Sequence, residues 1–118
     1  MRTGLVGHRG ERRAERLLRR KGLRVVARNW RCRHGEIDRV MLDGPTLVFV
    51  EVRLRGRADW GDGVESVNAA KRTKLVRAAS MFLAEHPDRA GQACRFDVVG
   101  IDGDGNATWV RDAFPVDG

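Results

Sequence analysis

The chain has little of what stabilises or anchors several common classes of protein. It holds two cysteines, three prolines and no tyrosine, and its clearest apolar run extends only from Leu47 to Val50. Cys32 and Cys94 are too few and too far apart for a disulfide scaffold. A membrane span needs about 18 consecutive apolar residues, and the first residues form no apolar signal region. We therefore expect a cytoplasmic protein with no membrane partner.

What the chain does have is positive charge, concentrated in one part. Its 118 residues, 42% of them hydrophobic, suit one folded domain over residues 1–118 rather than a disordered chain. Residues 1–40 carry 13 Lys or Arg and 4 Asp or Glu, whereas residues 41–118 carry 10 and 12. Such asymmetry is typical of proteins that bind polyanions and release condensed counterions. The alternative is that arginine-rich codon usage places these residues on the solvent-exposed face of a helix, where they bind nothing.

Periodicity and turn residues predict a mixed α/β domain around one sheet, in the order α-β-β-β-α-β with a short fifth strand. Gly22 and the turn at Asp43-Gly44-Pro45 separate the early elements. Arg55 to Gly63 is predicted to be a mobile loop beside a candidate site at the end of the third strand. The predicted elements are a helix over 7–21, strands over 23–32, 36–42 and 46–54, a helix over 65–85, and strands over 95–101 and 108–114.

The first helix separates its charges clearly. At about 100° per residue, six arginines share one arc, and we call this surface the arginine face: Arg9, Arg12, Arg13, Arg16, Arg19 and Arg20. Guanidinium groups can bind phosphates through two hydrogen bonds. Glu11 and Glu15 lie on the opposite, packing arc with Ala14 and Leu18. A carboxylate there is costly unless it is paired or binds a metal, so Glu11 is either a metal ligand, a helix-start residue or the partner of a buried arginine.

Two strands carry acidic residues where apolar ones are usual. Alternation places Glu36 and Asp38 on one face of the second strand and brings Glu51 and Arg53 to the end of a buried third strand. A hairpin through the Asp43 turn would set Asp38 beside Glu51. Carboxylates so placed can hold a divalent cation. Ordinary salt bridges, Glu51 with Arg53 or Asp38 with Arg39, are the alternative.

Several motifs together resemble the YraN family of small bacterial proteins, in matching order over residues 7–114. The motifs are Gly7-x-x-Gly10-Glu11-x-x-Ala14, Arg28-Asn29-Trp30-Arg31-Cys32-Arg33, Gly35-Glu36-Ile37-Asp38, Val48-Phe49-Val50-Glu51-Val52-Arg53, the helix residue Lys71, and Cys94-Arg95-Phe96-Asp97-Val98-Val99. That family is similar in fold to restriction-endonuclease-like PD-(D/E)XK nucleases, most closely to archaeal Holliday-junction resolvases. The resemblance implies a mixed central sheet flanked by helices.

The resemblance also implies a metal site. Asp38 and Glu51 would bind Mg²⁺ or Mn²⁺ near the Val52 carbonyl, and Glu11 would contribute from the first helix. Arg53 occupies the position of the motif's lysine, and a guanidinium can stabilise charge but cannot act as a base. The motif's usual proline is replaced by Ile37.

Lys71 can supply a second cation to the site from the second helix, where Val64, Val67, Leu75, Ala78 and Phe82 form an apolar stripe. Alternatively, its stem covers that stripe while its ammonium stays in water. Lys74 is expected at the surface or on a phosphate.

The implied function is a metal-dependent endonuclease acting on branched or single-strand-containing DNA, as a homodimer if both strands of a junction are cut. Asp38, Glu51, Arg53 and Lys71 are then the catalytic candidates. The residues expected to hold the DNA backbone are Arg9, Arg12, Arg13, Arg16, Arg20, Arg28, Arg31 and Arg33. The alternatives are a non-catalytic nucleic-acid or protein-binding module and a structural accessory of a repair or secretion complex.

Other residues give weaker signals. Trp30, Trp60 and Trp109 can stack on bases but more often pack in a core. Asp97 lies in an apolar strand, where a structural hydrogen-bonding role competes with a catalytic one. His8, His34 and His86 lack zinc-ligand spacing.

Overall fold

The computed structural model describes residues 4–54 and 68–115, which form a five-stranded sheet flanked by two helices. The elements are α1 (Gly4–Arg20), β1 (Arg24–Cys32), β2 (Gly35–Asp43), β3 (Thr46–Leu54), α2 (Ala69–Glu85), β4 (Cys94–Ile101) and β5 (Ala107–Phe114), with a 3₁₀ turn at Pro87–Arg89. The predicted mixed α/β order, including the fifth strand, is confirmed. Neither described α-helix has the length and apolar character of a membrane span.

The sheet is mixed, and β3 is its central strand. The spatial order is β1-β2-β3-β4-β5, with β3 and β4 parallel and the other neighbours antiparallel. Parallel strands need a crossover, and α2 lies within it. Alternating residues of β3 enter two separate cores: Leu47 and Phe49 on one face, Val48, Val50 and Val52 on the other. The prediction that β3 is covered on both faces is confirmed.

Each helix covers one face of the sheet. Leu75 and Phe82 of α2 pack in the core with Phe49, whereas Ala14 and Leu18 of α1 pack with Val48 and its neighbours. Gly10 lets α1 approach the sheet closely, since a Cβ atom at that position would lie 2.7 Å from Cδ2 of Leu54. The helix that carries the arginine face is therefore fixed against the central strand.

The helix boundaries depend on cap residues. Just past α1, Gly22 has φ +98°, which favours glycine. Asn68 is extended and its Oδ1 accepts a hydrogen bond from the Lys71 amide, so α2 begins at Ala69 and the predicted start at Glu65 is wrong.

Several predictions concern residues 55–67, which lie outside the described residues. They are the loop over 55–63, Trp60 within it, and the apolar-stripe residues Val64 and Val67. Both cysteines are described, and both are free thiols, as their number and separation predict. The strands of the sheet are thus predicted from the sequence to within a residue or two of their observed bounds.

Candidate functional site

Three carboxylates from distant parts of the chain converge where β2 begins. Glu11 of α1, together with Glu36 and Asp38 of β2, offers oxygen atoms that all lie within 4.8 Å of one another. We call this group the carboxylate cluster. Glu11 and Asp38 are only 2% and 1% exposed, whereas Glu36 is half-buried. Hard divalent cations prefer such oxygen ligands, so the donor set fits Mg²⁺ or Mn²⁺.

Asp38 is held in place by the backbone of β3. The antiparallel ladder between β2 and β3 ends at the pair Arg39–Val50. One residue further on, Oδ2 of Asp38 accepts a hydrogen bond of 2.8 Å from the Val52 amide. Asp38 and Glu51 each come one residue after the last pair of the ladder, and both line one surface pocket of about 400 Å³. The two residues therefore lie together, as the hairpin predicts.

Glu51 makes its closest charged contact with a lysine. Its Oε2 lies 2.8 Å from Nζ of Lys71 and 3.7 Å from Nη1 of Arg53. The Lys71 ammonium is thus paired at the site instead of extending freely into water. Glu51 is not a member of the carboxylate cluster among the described residues, where Glu36 stands with Glu11 and Asp38. The pocket is lined by Gly35, Glu36, Asp38, Glu51, Asn68, Ala70, Lys71, Lys74 and Leu75.

Glu11 is positioned by Arg39 and Asn29. Arg39 is buried, with Nη1 3.5 Å from Oε1 of Glu11 and 2.8 Å from the Asp38 carbonyl, to which it donates. Asn29 has φ +49°, and its Nδ2 donates to Oε1 of Glu11 at 2.8 Å. Glu11 is therefore both the partner of a buried arginine and a member of the carboxylate cluster.

A second buried carboxylate, Glu15, ties this network to β1. Arg28 binds it through two hydrogen bonds of 2.8 and 2.9 Å, and Nε of Arg39 donates to it at 2.8 Å. The Arg28 hydrogen bond is the main cause that lowers the pKa of Glu15 from 4.5 to about 2, with Arg39 adding to it against the effect of burial. Glu15 therefore keeps its negative charge between the two guanidinium groups.

The arginine face is exposed along its whole length, as the helical arc predicts. Its members, each exposed, are Arg9, Arg12, Arg13, Arg16, Arg19 and Arg20. Of the three predicted phosphate ligands on and after β1, Arg28 is exposed but bound to Glu15. Arg31 is exposed and pairs with Glu36 at 2.8 Å, and Arg33 is exposed beside His34. Cationic side chains thus extend from α1 to the edge of the carboxylate cluster.

Two of the weaker signals, Asp97 and Trp30, have structural roles. Asp97 is fully buried and accepts hydrogen bonds from Arg95, from Nε1 of Trp109 and from the Asp112 amide, so its structural role is confirmed. Trp30 packs edge-on against Phe82, with ring centroids 5.4 Å apart. Neither tryptophan lines the pocket at Glu51.

Three contributors to the site were not assigned a role from the sequence. Glu36 had been placed on the same strand face as Asp38, and that shared face was the signal that should have included it. Asn29 stood in a motif without a role. Arg39 was named only as a possible salt-bridge partner of Asp38, although a basic residue inside a predicted hairpin, opposite acids on a packing helix face, is a usable signal for a buried ion pair with Glu11 and Glu15.

Comparison with known proteins places this arrangement in a family. The model of a family described as "Uncharacterised protein family UPF0102" matches residues 10–101, which include the carboxylate cluster, Glu51 and Lys71. The chain belongs to this family. The match confirms the resemblance to the YraN family.

Individual UPF0102 proteins match most of the chain. It is 50% identical over 111 residues to a UPF0102 protein of Ectopseudomonas mendocina, covering 92% of this chain and 93% of the relative. A UPF0102 protein of Pseudomonas savastanoi is 48% identical over 113 residues, covering 92% of each chain. One from Stutzerimonas stutzeri is 53% identical over 96 residues, covering 79% of this chain and 80% of its own. These names state no activity, so function has to be inferred from the site.

Proposed function

We propose that this UPF0102 protein binds DNA that is branched or contains single strands, and hydrolyses its phosphodiester bonds with Mg²⁺ or Mn²⁺. The observation that carries the proposal is the convergence of Glu11, Glu36 and Asp38 oxygens within 4.8 Å. This cluster borders the pocket that contains the Glu51–Lys71 pair. Carboxylates beside a polyanion are unfavourable for simple phosphate binding, but they are needed to hold a cation.

The residues at the cluster fit a hard cation. Glu11, Glu36 and Asp38 would hold it, and Glu51 borders the same pocket. When bound, such a cation polarises a phosphoryl oxygen and lowers the pKa of a bound water. The hydrogen bonds from Asn29 to Glu11 and from Val52 to Asp38 fix the two most buried carboxylates of the cluster in orientation.

Lys71 is the cation best placed to act on the phosphate. Its ammonium lies 2.8 Å from Glu51 and its side chain is 40% exposed, so it can contact both that carboxylate and a substrate in the pocket. A fixed positive charge stabilises the charge that develops on the phosphate during hydrolysis. Arg53 lies farther from Glu51, at 3.7 Å, and its guanidinium stabilises charge without accepting a proton. This division leaves Lys71 in the role of the motif's lysine.

The arginine face supports the choice of DNA. It carries six exposed arginines, and α1, which bears them, also supplies Glu11 to the carboxylate cluster. Arginine binds phosphate oxygens through two hydrogen bonds, so these side chains can hold the backbone while the cluster acts on one bond. A homodimer would provide the two sites that cutting both strands of a junction requires, and light scattering with and without DNA tests it.

The decisive experiment is cleavage of end-labelled duplex, flap, single-stranded and four-way-junction DNA in Mn²⁺. Wild type and Asp38→Asn are purified side by side, so a contaminating nuclease would appear equally in both. Asp104→Asn, which changes an exposed acid in the turn before β5, is a matched control. Cleavage by wild type and Asp104→Asn that disappears in Asp38→Asn is the expected result. Equal products from all three proteins would overturn the proposal.

A non-catalytic binding module is the second candidate, and one observation favours it. The carboxylates at the site have cationic neighbours within the protein: Arg31 for Glu36, Arg39 for Glu11 and Lys71 for Glu51. For such a module, Asp38→Asn should strengthen DNA binding because it removes a negative charge near the phosphates. Binding measured with and without a divalent cation therefore separates the two functions independently of cleavage: in the nuclease Asp38→Asn removes a cation-dependent part of the binding, whereas in the module it strengthens binding under both conditions.

A further inference from the structure

A second concave surface lies away from the carboxylate cluster, between the C-terminal part of α1 and the edge strand β1. It encloses about 700 Å³ and is lined by Arg19 together with Gly22, Leu23, Arg24, Val25, Val26, Ala27 and Arg28. Arg19 also belongs to a neighbouring depression formed with Arg16 and Arg20. We call the two together the basic groove. Its polar side chains come from α1 and β1, so their positions relative to one another are fixed by the fold.

The basic groove is strongly cationic. It is lined by five arginines, and two of them contact the buried carboxylate of Glu15: Arg28 at 2.8 Å and Arg19 at 3.7 Å. Arg24 is exposed, and its side chain makes no ion pair with a described residue. Because one negative charge cannot neutralise five guanidinium groups, the groove retains a positive potential that attracts polyanions.

The apolar residues of the groove are already used by the protein's own cores. Leu23 is buried among Ala14, Leu18 and their neighbours, and Val25 packs against the same core. Val26 and Ala27 pack against the core beneath α2. What remains accessible is therefore mainly guanidinium groups along an edge strand. This chemistry suits a phosphate backbone better than the apolar centre of a protein interface.

We propose that the basic groove binds the sugar-phosphate backbone of DNA that flanks the carboxylate cluster. The choice of DNA rests on the proposed function, but the site itself is defined by Arg19, Arg24 and their neighbours. Guanidinium groups on both walls can each bind phosphate oxygens through two hydrogen bonds. The groove thus fixes the direction in which DNA leaves the cluster.

Residues that line the basic groove lie close in the sequence to residues at the carboxylate cluster. Arg28 at the inner end of the groove precedes Asn29, whose amide donates to Glu11. Arg24 lies five residues from Asn29, which is about 16 Å along a strand. Arg19 lies eight residues from Glu11, which is about 12 Å along a helix. Phosphates of each strand repeat about every 3.4 Å along the duplex axis, so the groove contacts DNA roughly three to five base pairs from the cluster.

The test is the salt dependence of DNA binding by Arg24→Gln and Arg20→Gln. Arg77→Gln on α2 is the matched control, because it removes the same charge from an exposed position on the other helix. Binding of a labelled duplex and a four-way junction is measured in EDTA by fluorescence anisotropy at several salt concentrations. Each groove variant should reduce the magnitude of the negative slope of log K against log salt by about 0.9. Arg77→Gln should leave this slope unchanged.

Each outcome decides the groove separately from the proposed function. If both groove variants match Arg77→Gln, the groove does not contact DNA and the inference is overturned, even if wild type cuts DNA. If wild type binds DNA without cutting it and the groove variants show the expected weaker salt dependence, the groove inference stands. The proposed hydrolytic function is then overturned. If wild type binds no DNA at all, both are overturned. Two variants at separate positions guard against misfolding of either one, and their circular dichroism spectra check the fold.

Discussion

The Nζ atom of Lys71 lies 2.8 Å from Oε2 of Glu51, and this contact joins the first turn of α2 to the C-terminal part of the central strand. Position 53, where the motif's lysine is expected, holds an arginine whose Nη1 lies 3.7 Å from the same carboxylate oxygen. Of these two cations, the one closer to Glu51 therefore comes from α2 and not from β3. Under the proposed function, the contributions of these two cations can be measured separately.

Lys71→Gln should reduce the kcat for DNA cleavage by about 100-fold, because it removes a fixed charge beside the developing negative charge. Arg53→Gln should cause a smaller loss. Lys74→Gln changes an exposed lysine one turn further along α2 that also lines the pocket, and it should raise KM more than it lowers kcat. Steady-state kinetics on one labelled substrate makes the comparison. Equal kcat values for Lys71→Gln and Lys74→Gln would contradict the role given to Lys71.

Arg39→Met should destabilise the fold by about 3–5 kcal/mol, because it leaves Glu15 and Glu11 buried without their shared guanidinium. The control is Arg111→Gln, which removes the exposed partner of Asp43 and should cost no more than about 1 kcal/mol. Urea unfolding followed by circular dichroism gives both free energies. Similar losses in the two variants would show that the buried network contributes little.

The low pKa of Glu15 predicts an acid-dependent part of the stability. Its pKa is lowered from 4.5 in the unfolded chain to about 2 in the fold, so the stabilisation is complete above the higher value and declines as the pH falls towards the lower one. The full contribution is about 3 kcal/mol.

Glu15→Gln has no titratable group at this position, so it lacks the pH-dependent stabilisation that Glu15 provides. Unfolding free energies of both proteins, measured from about pH 7 down to about pH 2, should therefore converge as the pH falls. A difference that stays constant over this range would mean that Glu15 does not have a lowered pKa.

Arg31→Gln should tighten Mn²⁺ binding roughly two- to five-fold, because the exposed Arg31 competes with the metal for Glu36 at 2.8 Å and surface pairs are worth up to about 1 kcal/mol. Arg33→Gln is the matched control, since its side chain contacts His34 instead. Glu36→Gln should weaken binding by more than about ten-fold. Electron paramagnetic resonance of free Mn²⁺ measures all three affinities. An unchanged affinity in both Arg31→Gln and Glu36→Gln would remove Glu36 from the metal site.

Much of the fold could be predicted because its local signals agree with one another. The alternation in β3 and the turn at Asp43 fix the register up to the pair Arg39–Val50, next to Asp38 and Glu51. The spacing of the arginines on α1 likewise predicts which side of that helix is exposed. These signals depend on residues close in the chain, and a single sequence contains them directly. The start of α2 was not predicted correctly, although Asn68, an asparagine before a run of good helix formers, is a usable cap signal.

The composition of the carboxylate cluster could not be predicted in the same way. Alternation assigns Glu36 and Asp38 to a strand face, but which oxygens meet depends on the position of α1 over the sheet. That position depends in turn on Gly10 and on the left-handed conformation of Asn29. The burial of Arg39 also depends on contacts between distant segments. Long-range packing, rather than local preference, decides these details.

The edge strand β1 has a consequence for solubility. An exposed sheet edge can pair with another chain and start aggregation, and native proteins limit this with charged residues and irregular backbone. In β1 the register shifts between Val25 and Ala27, and exposed Arg24 and Arg28 flank this irregularity. Strand-to-strand association of two copies along this edge would bring these like charges together. The same arginines that line the basic groove therefore also disfavour the pairing of two copies along the β1 edge.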